Sequence, residues 1–312
     1  MRIAFVGKGG SGKTTVCGLF ARFLSAQDRA VLAIDADINQ HLAQTLGSSS
    51  NPEKSSLADS IPLIKTYLRG KNHRIPDNAS MIKTTPPGTG SNLLRISNRN
   101  PIMDTCAQIM GNISLLSVGG FQEEDLGTKC FHAKTGAVEL VLNHLIDRED
   151  EYVLVDMTAG ADVFASGLFT KFDVTCIVVE PTEKSVSVFH QYKKYAEGFD
   201  VKIVAVGNKI LDASDEMFLR QSIGDALIAS FSHSSFVKQQ DRGVALPILE
   251  LEEQNRAVLE HVHTYLDQQK KNWNKLYVQA CEFHLKNAES WGNAATGKNL
   301  SEQIDPDFML NP

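Results

Sequence analysis

The chain alternates short, uninterrupted apolar runs with longer stretches in which apolar residues recur every third or fourth position. The runs are Ile3–Val6, Val31–Ile34, Ile113–Val118, Tyr152–Asp156, Val174–Val179 and Val201–Val206. Several are β-branched and apolar throughout, which predicts strands buried on both faces of a parallel sheet. Helical spacing appears between them, as in Val16, Leu19, Phe20, Phe23 and Leu24, and again in Val138, Val141, Leu142 and Leu145. Strand and helix in alternation, with no internal repeat, predict an α/β fold built on a doubly wound, mainly parallel sheet.

Two stretches leave this rhythm. Residues 70–100 are rich in Asn, Pro, Gly, Ser and Thr, including Pro86-Pro87-Gly88-Thr89-Gly90. They predict an irregular insertion between the second and third main strands, and loops of that length are uncommon unless functional or disordered. From about Leu249 the spacing is helical through Trp291, ahead of a tail ending Asp305-Pro306-Asp307-Phe308-Met309-Leu310. Helices covering one edge of the sheet fit this pattern, and so does a partner-binding arm. The apolar tail is expected to dock on the body or on a second subunit.

Charge narrows the class of partner. Over 312 residues the formal net charge is -6, so there is no general attraction to nucleic acid or anionic membrane. The C-terminal helical stretch mixes Glu with Lys on its polar side, unlike a basic membrane-lying helix. No apolar run approaches the ~20 residues that span a bilayer. Five scattered cysteines, at 17, 106, 130, 176 and 281, fit a reducing compartment better than a disulfide framework. The N-terminus enters a strand and a glycine loop directly, with no targeting segment, and a cytoplasmic location is expected.

The glycine loop carries the chemistry. Gly7-Lys8-Gly9-Gly10-Ser11-Gly12-Lys13-Thr14 matches G-x-x-x-x-G-K-[ST] in full, after a strand and opening a helix. Glycines let backbone N–H groups turn inward as an anion nest, and the helix presents its positive end to phosphates. Lys13 would balance charge on the β- and γ-phosphates, and the Thr14 hydroxyl, beside Thr15, would ligate Mg²⁺. The second lysine, Lys8, makes the run Lys-Gly-Gly-x-Gly-Lys-Thr-Thr. Here the chain resembles the deviant Walker A P-loop ATPases of the ParA/MinD superfamily (SIMIBI class). That resemblance implies a homodimer closed around two nucleotides, with Lys8 reaching the partner's nucleotide like an arginine finger in trans. A solvated loop lysine is the alternative.

Further positions follow the family order. The strand end Ala33-Ile34-Asp35-Ala36-Asp37 resembles the first switch, which implies that Asp37 orients or deprotonates the attacking water and that Asp35 sits near the magnesium. Two carboxylates at a strand end also suit an ordinary solvated turn. Tyr152-Val153-Leu154-Val155-Asp156-Met157-Thr158-Ala159-Gly160 resembles the Walker B strand and second switch. Asp156 would hold Mg²⁺ through water and Gly160 would sense the γ-phosphate through its N–H; Thr158 stands where the family often has Pro. Asn208 and Lys209 resemble the pair that contacts the purine, and Pro247 occupies the place of a proline loop along the adenine. An Asn-Lys-x-Asp GTPase needs an acid where this chain has Leu211, so ATP is favoured over GTP. The resemblance covers roughly residues 1–262, leaving 263–312 as a C-terminal helical extension and tail.

Within the superfamily, Ala-Ile-Asp-Ala-Asp, the Val-Val-Glu-Pro at 178–181 and the Asn208-Lys209 strand are similar to CooC-type ATPases, which assist nickel insertion into carbon monoxide dehydrogenase. Those relatives carry Cys-x-Cys and share one metal across the dimer. This chain has Cys130-Phe131-His132, a thiolate and an imidazole per subunit, from which two subunits could build a Cys₂His₂ site for Zn²⁺ or Ni²⁺. A structural or interface role for the pair is the alternative. The expected function is an ATP-hydrolysing dimeric switch serving an unknown client protein. A positioning ATPase on DNA or membrane, and a regulatory switch with little turnover, are the alternatives.

Overall fold

The computed structural model describes residues 1–48, 54–120, 131–157 and 162–310, the side chains of 131–133 and 162 excepted. The strands are β1 (Arg2–Gly7), β2 (Ala30–Asp35), β3 (Leu94–Arg95), β4 (Gln108–Met110), β5 (Ile113–Ser117), β6 (Leu145–Ile146), β7 (Glu151–Asp156), β8 (Val174–Val179), β9 (Ile203–Ile210) and β10 (Leu227–Ser232). Among the described residues eight of them form one sheet in the order β10-β9-β8-β1-β7-β2-β5-β4, while β3 and β6 pair separately. Only the short edge strand β4 runs antiparallel to its neighbour in that sheet.

Alternation of side chains explains why the central runs are apolar at every position. Ala4, Val6, Leu32, Ile34, Val153 and Val155 face one hydrophobic core, whereas Ile3, Phe5, Val31, Ala33 and Leu154 face the other. Helices cover both faces, so no position of Ile3–Val6, Val31–Ile34 or Tyr152–Asp156 meets water. The strand expected from Val201 begins at Ile203 and continues through Asn208 and Lys209. Strand β10 gives no continuous apolar run because it is an edge. Leu227, Ala229 and Phe231 are buried, and the residues between them are only half-buried.

The helices are α1 (Lys13–Ser25), α2 (Leu42–Thr45), α3 (Ile61–Arg69), α4 (Pro101–Cys106), α5 (Phe131–His144), α6 (Asp162–Ser166), α7 (Glu183–Tyr195), α8 (Ala213–Ile223), α9 (Ser235–Asp241), α10 (Glu253–Asp267), α11 (Trp273–Asn287) and α12 (Asn293–Thr296). Side-chain caps start several of them: Asn100, Thr182, Asp212, Ser234 and Asn272 each accept a backbone N–H of the first turn. None of the described helices is long and apolar enough to cross a membrane.

Of the C-terminal helices α10 packs on the edge strand β10, as expected, but α11 lies on the opposite face, so together they straddle the sheet. Leu259, Val262 and Leu266 of α10 join the core containing Phe20 of α1, whereas Phe283 of α11 joins the opposite core. The link between them passes the N-terminal ends of the strands. There Lys271 pairs with Asp147 at 2.5 Å and Asp173 at 2.8 Å, and Arg2 pairs with Asp147 at 2.8 Å. The Arg2 guanidinium lies 5.2 Å over the Trp273 ring.

From the last turn of α11 onward the chain clasps the 70–100 insertion. His284 bridges the Thr84 hydroxyl (3.2 Å) and the Leu300 carbonyl (3.1 Å). Gln303 accepts from Thr85 and donates to the Ser80 carbonyl, and Asp305 accepts the Thr89 N–H. The insertion's irregular backbone is thereby satisfied and packed, which its polar composition alone does not reveal. The tail docks on the body through Leu310, beside Ile146, Tyr277 and Phe308.

Candidate functional site

From β1 the chain moves to β2 on one side and later to β8 on the other. The crevice outside the C-terminal ends of these strands is therefore a topological switch point, where open α/β sheets bind ligands. A cleft of about 1160 Å³ opens there, lined by every residue of 7–15 except Ser11, together with Asp37, Asn208 and Lys209. Gly12 sets the start of α1 at φ +90°. A Cβ on it would stand 2.2 Å from the Asn208 amide nitrogen, so only glycine serves both the left-handed turn and the close approach.

Asn208 Nδ2 donates to the Ser11 carbonyl at 2.8 Å, and Lys209 Nζ donates to the Gly10 carbonyl at 2.6 Å. Both residues thus meet the loop itself. Thr14 donates to Asp156 at 2.5 Å, and Lys13 forms an ion pair with Asp37 at 2.5 Å. Asp35 accepts the N–H of Leu42 at 3.0 Å. Lys8 is different: its ammonium touches only the Gly9 carbonyl, at 3.4 Å, and makes no ion pair among the described residues.

Three carboxylates crowd one ammonium. Burial raises the Asp35 carboxyl to about 7, with the nearby Asp156 charge adding to the shift. Burial likewise lifts Asp156 to about 6 although Lys13 and Thr14 oppose it. Burial alone would lower the Lys13 ammonium, but Asp156, Asp37 and Asp35 outweigh it and leave Lys13 above its ordinary value. The buried Oδ1 of Asp156 has no hydrogen-bond partner among the described residues. Uncompensated carboxylate charge and an orphaned oxygen beside the Thr14 hydroxyl fit Mg²⁺, an oxygen-seeking cation that takes its remaining ligands from water and phosphate. No group of three or more His, Cys, Asp or Glu among the described residues is arranged to hold a metal ion.

Some expected residues lie elsewhere. Pro247 does not line the cleft; it follows Leu246, whose carbonyl accepts from Arg22 on the flank of α1. The far wall comes instead from Phe231–Ser234, at and just beyond the end of β10, and from Val237, Lys238 and Asp241 of α9. Sequence reasoning missed this wall. Its signals were the two-residue alternation at Leu227, Ala229 and Phe231 and the cap at Ser234, whose hydroxyl accepts the Val237 N–H. Gly160 and Cys130 fall outside the described residues, as does the side chain of His132.

A family model for the CobQ/CobB/MinD/ParA nucleotide binding domain matches residues 3–244. The chain belongs to this family. It is 31% identical to an uncharacterised ATP-binding protein of Methanocaldococcus jannaschii over 70% of this chain and 78% of that protein. With the carbon monoxide dehydrogenase accessory protein CooC of Rhodospirillum rubrum it shares 28% identity, again over 70% of this chain and 78% of the relative. The fold is that of the cell division ATPase MinD of Pyrococcus furiosus, at a TM-score of 0.57 and 17% identity over 85% of this chain and 98% of MinD. The matched nucleotide binding domain spans the glycine loop at residues 7–14 and the cleft lining as far as Asp241.

Proposed function

We propose that the protein is an ATP-hydrolysing switch that closes into a homodimer around Mg²⁺-nucleotide and acts on a client protein. The observation that carries this reading is the division of labour between two lysines in one loop. Lys13 is committed inside its own subunit, its side chain 12% exposed and paired with Asp37. Lys8 leaves its charge unpaired among the described residues at the rim of the same cleft. A cation held unpaired beside a phosphate cradle suits a task completed by a second subunit, where it would stabilise charge developing in phosphoryl transfer. Thr14, Asp35 and Asp156 would hold Mg²⁺, and Asp37, released from Lys13 as phosphate takes its place, would position the water. Asn208 would meet the base.

The likeness to CooC supports a maturation role for the client, and Cys130 with His132 would then offer half of a shared metal site in each subunit. Metal stoichiometry by mass spectrometry on reduced protein, with and without a non-hydrolysable ATP analogue, tests that part. Roughly one Zn²⁺ or Ni²⁺ per dimer supports it, and none in either state rejects it.

The decisive test of the switch is Lys8→Ala. It should bind ATP like the parent yet neither dimerise with ATP on size-exclusion chromatography nor turn over. Equal loss of binding in Lys8→Ala and Lys13→Ala would reject the assignment in trans.

A further inference from the structure

We propose that Glu180 is a positioning residue for nucleotide binding: it holds Lys209 against the phosphate loop and so sets the loop before the ligand arrives. This rests on the nucleotide reading of the cleft. Lys209 adopts φ +61°, one of three non-glycine residues with positive φ among the described residues. The other two, Asp28 and Asp200, are of a residue type that tolerates this region through local hydrogen bonds. Lys209 sits instead where the β9–β10 register shifts between Gly207 and Ile210, a bulge that turns its side chain toward the loop.

Two partners hold that side chain. The Lys209 ammonium donates to the Gly10 carbonyl at 2.6 Å and to Glu180 Oε1 at 2.7 Å. Glu180 is well placed to act as the fixed end. It follows the last residue of β8, its own N–H donates to the Ser185 hydroxyl on α7 at 3.0 Å, and its side chain is 18% exposed. Next to this contact Asn208 holds the Ser11 carbonyl, so two consecutive carbonyls of the loop are pinned to β9. Lys209 lines the cleft and Glu180 does not. Glu180 therefore acts through the lysine and not on the nucleotide.

The acid also decides where the ammonium goes. With its side chain 50% exposed, a Lys209 relieved of Glu180 would be drawn toward the phosphates of an incoming nucleotide. The Gly10 carbonyl would lose its donor, and binding would have to order the loop anew. That cost falls on affinity, because a pre-set loop binds without it.

The test is ATP titration calorimetry and steady-state hydrolysis on Glu180→Gln, Glu180→Asp and Lys209→Met in the full chain. Glu180→Gln should weaken ATP binding and raise KM about tenfold, the scale of one charge-assisted hydrogen bond, with kcat within about twofold. Glu180→Asp should recover part of that loss, and Glu180→Gln should add nothing in the Lys209→Met background. A merely structural glutamate would lower the active fraction, hence kcat, and leave KM alone; that pattern overturns the proposal. Parent-like affinity in Glu180→Gln, with a parent that binds ATP well, overturns it alone. A parent that binds no ATP fells the nucleotide reading itself.

Discussion

Gly167→Ala tests whether the C-terminal helices are part of the body or merely lean on it. Gly167 follows α6 at φ +94°, and a Cβ there would lie 2.3 Å from Cγ, 2.6 Å from Cδ1 and 2.7 Å from Cβ of Phe283 on α11. Phe283 cannot yield cheaply. It is 6% exposed and wedged between Phe169 and Phe199, with ring centroids at 5.6 and 5.5 Å. The left-handed backbone costs a residue with a side chain about 1–2 kcal/mol. Forcing a methyl into a packed core adds about 1–3 kcal/mol, and the stiffer unfolded chain returns about 0.4–1 kcal/mol. The net expectation is a loss of about 2–4 kcal/mol in urea unfolding, read from the midpoint. Phe283→Ala alone should cost about 3–5 kcal/mol. Removing the ring clears two of the three collisions, so the double variant should lose about 1–2 kcal/mol less than the sum. Additivity within about 0.5 kcal/mol, or a Gly167→Ala protein as stable as the parent, would refute the contact as the source of the cost.

Three further outcomes follow from the geometry. Asp37→Ala should slow hydrolysis at least about 100-fold while leaving ATP bound, accumulating a long-lived dimer on size-exclusion chromatography; turnover at the parent rate would remove Asp37 from the water-positioning role. Asp147→Asn should destabilise by about 3–5 kcal/mol, because the Arg2 guanidinium would stay buried without its carboxylate and Lys271 would keep only Asp173; a shift under about 1 kcal/mol in the urea midpoint would contradict this. Glu252 caps α9, the wall of the cleft, by accepting from Ser234, Ser235 and Phe236. Burial pushes the Glu252 carboxyl up, but those donors outweigh it and hold the group down to about 2. A folded value below the unfolded one of about 4.3 means that the stabilisation is present above that pH and drains away as pH falls toward about 2. The thermal midpoint of the parent should therefore drop through this window more steeply than that of Glu252→Gln, and parallel curves would count against the cap.

Local order alone determined much of this protein. The phosphate loop was readable because its function needs particular residue types at consecutive positions, with a strand before and a helix after. The central strands were readable because burial on both faces leaves Ile3–Val6 apolar throughout and Val174–Val179 apolar but for Thr175. Edge elements were not: β10 shows its core to one side only, and α9 is a seven-residue helix, too short to display a period. Nor could the sequence place the far wall of the cleft at Phe231–Ser234 and α9, away from Pro247, since that depends on where the chain turns after β10. The pairings of Lys13 with Asp37, Lys209 with Glu180 and Lys271 with Asp147 join residues 24, 29 and 124 positions apart. Such contacts exist only once the sheet has brought strand ends together. The insertion shows the same division. Its Pro- and Gly-rich composition announces a loop, but its burial is decided by Thr84, Thr85 and Thr89 meeting partners about 200 residues later. Propensity and spacing act over a few residues and can be read along the chain. Packing and charge pairing act across space, and only the folded topology decides which groups share it.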